Sequence, residues 1–148
     1  MSLLSITQTN TAIAETLGSA AGISRAQDAA DLTEGMPDLP ALQVYWQSLS
    51  TDADSADTDR RTFGAGVRVS RLTFHADVYA RQRSHLGEDM ARVLELAEAV
   101  QTVLENQTTP LFGEEHIQSC HWSAQRVTFD YAGASYAGIR FIIDLTVF

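Results

Sequence analysis

The segment 136–148 alternates with a period of two, with Ile139, Phe141, Ile143, Leu145 and Val147 on one side and Arg140, Asp144 and Thr146 on the other. Successive strand side chains point to opposite faces, so this pattern is a strand with one apolar face and one polar face. Such a strand needs partner strands and a second layer over its apolar side. The segment 116–130 supplies one partner, with Val127 and Phe129 in phase and Trp122 opposite. The run Asp130-Tyr131-Ala132-Gly133-Ala134-Ser135 carries the turn residues of a hairpin between the two. The longest strand candidate is 67–81: Leu72, Phe74, Ala76 and Val78 point one way, and Arg71, Thr73, His75, Asp77 and Tyr79 the other. Val67 and Val69 are out of phase with the first set, which leaves room for a bulge near Ser70. A first strand over 42–48 places Val44 and Trp46 on alternate positions with Tyr45 opposite.

Two helices complete the pattern. Over 84–105, Leu86, Met90, Val93, Leu94, Ala97, Val100 and Leu104 follow the spacing of one buried helical face. Ser84 is the expected N-cap, Glu88 and Asp89 suit the positive end of the dipole, and Asn106 and Pro110 end the run. Over 3–17, Leu3, Ile6, Ile13, Ala14 and Leu17 make a thinner stripe, terminated by Gly18 and Gly22. The stretch 20–40 reads as a loop or a short irregular helix closed by Pro37 and Pro40. The Ser-, Thr- and Asp-rich 49–61 reads as an exposed mobile acidic loop. The expected architecture is α+β, a two-layer sandwich in the order α-β-β-α-β-β. A mostly antiparallel four-stranded sheet carries its helices on one face, and residues 1–148 form a single domain.

Composition narrows the function classes. A chain of 148 residues with 45% hydrophobic residues buries a core without a metal or disulfide. The lone Cys120 excludes an intramolecular disulfide and multi-cysteine metal sites. No apolar run spans a bilayer and no basic stretch precedes the first apolar positions, so a reducing cytoplasm is the expected compartment. The net charge of −9 argues against general binding to nucleic acid or anionic membranes. All ten basic residues are Arg. The charges are also segregated. Asp28, Asp31, Glu34, Asp38, Asp52, Asp54, Asp57 and Asp59 lie in a stretch without a base, whereas 60–92 holds seven Arg against Asp77, Glu88 and Asp89. An acidic part and a basic part on one chain suit head-to-tail contact between copies, which in closed form makes a ring; two solvated surface regions are the simpler alternative.

No catalytic motif stands out. Gly64-Ala65-Gly66 leads into a strand rather than a helix, and position 69 is Val, so it is not a dinucleotide fingerprint. His75 and Asp77 share a strand face and could ligate a metal, but no third ligand is visible and a polar or inter-subunit sheet face is the preferred reading of them. Cys120 and His121 point to opposite faces of an extended chain and cannot form a dyad. The acid pairs Asp52/Asp54, Asp57/Asp59 and Glu114/Glu115 sit in loops that do not hold carboxylates rigid enough for acid–base work. Arg60 and Arg61 after the acidic loop, and Arg81 and Arg83 at the end of the long strand, are the candidates for contacts to a partner's carboxylates; exposed Arg kept for solubility is the other reading. No cofactor is expected.

The element order and several local patterns resemble the tail terminator (tail-completion) proteins of long-tailed bacteriophages and prophages. The likeness rests on the N-terminal helix, the strand Leu42-Gln-Val-Tyr-Trp before an Asp-rich loop, and the run Leu72-Thr-Phe-His-Ala-Asp-Val-Tyr-Ala-Arg-Gln-Arg. It extends to the helix over 84–105 and to the closing hairpin, Trp122…Val127-Thr-Phe-Asp130 and Gly138-Ile-Arg-Phe-Ile-Ile-Asp-Leu-Thr-Val-Phe148. It covers nearly the whole chain and brings no catalytic residues. The resemblance implies a ring, commonly of six copies, that caps the tail tube, stops its polymerisation and receives the head connector. DNA would traverse it without specific binding, and an acidic balance that repels phosphate suits such a channel. Its partners would be its own copies, the tube protein and the connector, met first in the host cytoplasm and then in the virion tail. On the same likeness, Asp52, Asp54, Asp57, Asp59, Arg60, Arg61, Arg81 and Arg83 become candidate interface residues. A different neck, tube or baseplate component and a small-molecule-binding or enzymatic α+β domain are the competing readings.

Overall fold

The computed structural model describes residues 5–27, 39–51, 70–131 and 133–147. It is α+β, with two helices and one five-stranded mixed sheet. Helix α1 (Ile6–Gly18) is followed by strands β1 (Arg25–Gln27), β2 (Ala41–Thr51) and β3 (Ser70–Gln82), then by helix α2 (Leu86–Glu105), a 3₁₀ turn (Leu111–Gly113) and the hairpin β4 (Ile117–Tyr131) and β5 (Ala134–Val147). The sheet order is β1-β2-β3-β5-β4.

This corrects the expected four-stranded antiparallel sheet. Three residues inside the segment expected to be irregular, Arg25–Gln27, pair in parallel with Ala41–Gln43 and add a fifth strand at the edge. A three-residue strand offers no periodicity to read, and tertiary placement alone decides it. The other ladders are antiparallel, and α2 crosses between β3 and β4, which lie at non-adjacent places in the sheet.

The apolar half of each alternating strand is buried, although over Ala76–Ala80 of β3 both faces are. Leu42, Val44, Leu72, Phe74, Ala76, Val78, Ile139, Phe141, Ile143, Leu145 and Val147 share one sheet face and join Ile13, Leu17, Val93, Leu96, Val100 and Leu104 of the helices in a single core. The ladder slips at three places, Gln47, Ala80 and Gln118. The expected bulge near Ser70 is not among them: Ser70 opens β3 in register with Thr51, and Val67 and Val69 lie outside the described residues.

The expected face of α2 is buried in part: Val93, Val100 and Leu104 are in the core and Ala97 packs against it, but Leu96 joins them and Leu86 and Leu94 do not. Val93, Leu96, Val100 and Leu104 are buried, whereas Leu86 and Leu94 are 66% and 57% exposed. The buried row follows the i, i+3, i+7 spacing from Val93, and Leu94 lies one position round the helix from it. Nor is Ser84 the N-cap. His85 takes that place with its ring Nδ1 accepting from the Glu88 N–H, while Ser84 Oγ accepts from Arg81 at 2.8 Å and its N–H donates to Asp89 at 3.2 Å. Arg81 also pairs with the nearly buried Asp89 at 3.0 Å and with Glu88 at 3.4 Å, so the end of β3 is fastened to the first turn of α2.

Gly138 is required by a close approach. A Cβ there would run into the Val78 carbonyl and the Phe129 ring, which lies across β5 at this point and stacks on Tyr79 at 4.3 Å.

Candidate functional site

The face of the sheet turned away from the helices carries the polar half of each alternating strand. Its centre is Asp77 on β3, 3% exposed. Arg140 on β5 donates to it through Nε at 2.8 Å and Nη2 at 3.2 Å, and the Tyr45 hydroxyl on β2 donates at 2.6 Å. Arg140 Nη2 also reaches the Tyr45 oxygen at 3.2 Å, closing a three-residue network across three strands. Burial, reinforced by the neighbouring carboxylate, holds the Tyr45 phenol well above its usual value near 10. The hydrogen bond to Asp77 holds the Arg140 guanidinium firmly protonated. One row further, Thr73 donates to Asp144 at 2.6 Å.

His75 lies between these two pairs, edge-on to Tyr45 at 5.6 Å. Its Nδ1 is enclosed and meets no hydrogen-bond partner among the described residues. Burial, aided by the positive charge of Arg140, lowers its pKa from 6.5, and Asp77 and Asp144 oppose that shift. Asp77 is thus committed to Arg140 and Tyr45, and among the described residues no group of three or more His, Cys, Asp or Glu is placed to hold a metal.

A cleft of about 260 Å³ lies between the N-terminal half of α2 and β4–β5, lined by Arg83, Leu86, Met90, Val93, Arg126 and Ala137 among others. Its polar groups are already engaged in part: Asp89 at its edge pairs with Arg81, and Arg126 rests on the Met90 sulfur at 3.2 Å. His75 and Asp77 are on the opposite face of the sheet. Cys120, half-buried on β4, has its thiol pushed up to about 11 by burial and by Asp144. That leaves it a poor nucleophile near neutral pH.

Of the sequence-predicted interface residues, Asp52, Asp54, Asp57, Asp59, Arg60 and Arg61 lie outside the described residues, as does most of the expected acidic loop. Its opening residues, 49–51, continue β2 instead. Arg81 makes the intramolecular ties to α2 given above, and Arg83 is exposed at the cleft.

Among the described residues four large apolar side chains are exposed, on two elements. Trp46 and Leu49, each 45% exposed, stand at the outer part of β2; Leu86 and Leu94 stand on α2. Sequence reading placed Leu86 and Leu94 in the core because periodicity gives a stripe but not its rotational phase. No helix among the described residues is long and apolar enough to cross a membrane. No model of a known protein family matches the chain, and no curated protein is similar to it.

Proposed function

We propose that this chain is a structural subunit that assembles head to tail into a ring. More specifically, it is the tail terminator of a long-tailed phage or prophage, a two-layer sandwich whose ring caps the tube, ends polymerisation and presents the head-joining surface. The observation that carries the reading is the exposure of large apolar side chains on two different elements, Trp46 and Leu49 on β2 and Leu86 and Leu94 on α2. Apolar exposure on two unlike elements of one chain favours heterologous contacts, which close into rings when the rotation permits. The net charge of −9 suits a ring through which DNA passes without binding. The Asp77 carboxylate is itself satisfied by Arg140 and Tyr45, which favours a structural over a catalytic role for it. Partners on this reading are further copies of the chain, the tube protein and the head connector, in the host cytoplasm and then the virion tail, with no cofactor.

Mass in solution by light scattering over a concentration series tests it. A discrete ring mass, or recruitment of monomer to the ends of added tail tubes with arrest of their growth, is the expected result. A monomer at every concentration that tubes do not recruit would sink the proposal. Extension of tubes by the chain would instead make it a tube component.

A further inference from the structure

Strand β4 ends the sheet on one side, and no described strand pairs with its outer edge. On the other side β1 covers only Ala41–Gln43. At Val44 the carbonyl on that edge is taken by the Asn10 side chain, which reaches over from α1 and donates to it at 3.1 Å. Beyond it, the outer edge of β2 from Tyr45 to Thr51 meets no strand among the described residues. Unpaired edges invite pairing with another chain, and proteins that must stay monomeric place charges or proline on them. Neither segment carries such residues: 45–51 reads Tyr-Trp-Gln-Ser-Leu-Ser-Thr and 117–123 reads Ile-Gln-Ser-Cys-His-Trp-Ser, without Lys, Arg, Asp, Glu or Pro.

The two edges also match. Following the ladders across β2, β3, β5 and β4, Trp46 shares a row with Phe74, Ile143 and Trp122. Leu49 shares one with Leu72, Leu145 and Cys120, and Ser48 one with Thr73, Asp144 and His121. Phe74, Leu72, Ile143 and Leu145 are core residues, so Trp46, Leu49, Trp122 and Cys120 all stand on the helix-covered face, where the covering layer leaves both edges part-exposed. Through the chain of antiparallel pairings β2 and β4 run in opposite directions.

We infer that the partner of each edge is a second copy of this chain. Residues 45–51 of one copy add antiparallel to 117–123 of the next, continue the sheet, and bring Trp46 and Leu49 against Trp122 and Cys120. This rests on the ring reading and names its seam. Rotation about an axis along the strands keeps the rows level, so the pairing in register places Ser48 opposite the neighbour's His121. Within one copy these two are separated by three strand spacings, about 14 Å, which no disulfide can span. The paired segments hold no Lys, Arg, Asp or Glu, so high salt leaves the seam intact.

The test is disulfide trapping in the full chain carrying Cys120→Ser, with Ser48→Cys and His121→Cys, both exposed positions, on separate preparations that are then mixed and oxidised. Covalent dimers only in the mixture, and a ladder up to the ring mass when both cysteines are on one chain, are the expected results. Light scattering on the same samples keeps the seam and the ring separable. A ring mass without cross-links, or a ring that dissociates in 0.5 M salt, overturns the seam and leaves the ring. A monomer that tubes do not recruit overturns both. Leu49→Lys, folded by circular dichroism, is expected to raise the concentration needed for assembly at least tenfold; unchanged assembly counts against the seam.

Discussion

Asp77 is a buried carboxylate that three strands conspire to satisfy, and its partners define what its loss would do. In Asp77→Ala, the Arg140 guanidinium, only 30% exposed, and the Tyr45 hydroxyl lose their shared acceptor. Leaving one member of such a pair uncompensated costs about 2–4 kcal/mol, to be read as a lower urea midpoint with unchanged slope. His75, beside it, makes stability depend on pH. Because its folded pKa lies below the unfolded value near 6.5, the unfolded chain takes up the proton first as pH falls. The stability tied to neutral His75 is therefore complete above about pH 6.5 and lost below it. Urea midpoints between pH 7 and pH 5 should fall more steeply for the native chain than for His75→Gln; parallel profiles would exclude the effect. The strand face that holds both residues was legible from alternation. Their pairing with Arg140 and Tyr45 was not, because those residues lie on strands whose register only the folded sheet fixes.

For the elements, α2 shows both the reach and the limit of periodicity. Its length, its apolar character and the buried Val93, Val100 and Leu104 were visible in 84–105, but Leu96 also meets the sheet while Leu86 and Leu94, read on the same face, stay exposed. Leu96→Ala is expected to cost about 2–4 kcal/mol in the unfolding equilibrium, and Leu94→Ala less than about 0.5 kcal/mol. A reversed order would put Leu94, not Leu96, against the sheet. The arginines at the end of β3 divide in the same way. Arg81→Glu sets a third carboxylate against Asp89 and Glu88 and should lower the unfolding midpoint clearly, whereas Arg83→Glu should leave it nearly unchanged. Arginine composition alone could not tell the internal tie from the exposed side chain at the cleft.

Across the whole molecule, both tryptophans of the chain stand at opposite edges of one sheet in one row. Association through those edges takes Trp46 out of water. In Trp122→Phe, which keeps Trp46 as the sole reporter, emission should shift to longer wavelength as the protein is diluted through its assembly range. A spectrum independent of concentration, with assembly unchanged in mass, would place Trp46 away from the contact. On the proposed seam, association covers these exposed apolar side chains, and the net charge of −9 disfavours indiscriminate contact between copies.

The sequence by itself determined the α+β class, the buried apolar face of the strands read over 67–81 and 136–148, the hairpin at the C-terminus and the long second helix. Each of these is set by local period and turn chemistry, which neighbouring residues carry among themselves. Tertiary structure alone decided the fifth strand at Arg25–Gln27, the exposure of Leu86 and Leu94 on α2, the burial of Asp77 against Arg140, and the rows that Trp46 and Leu49 share with Trp122 and Cys120. These depend on which distant segments meet and in what register, and a one-residue slip in any ladder would have sent each side chain to the other face.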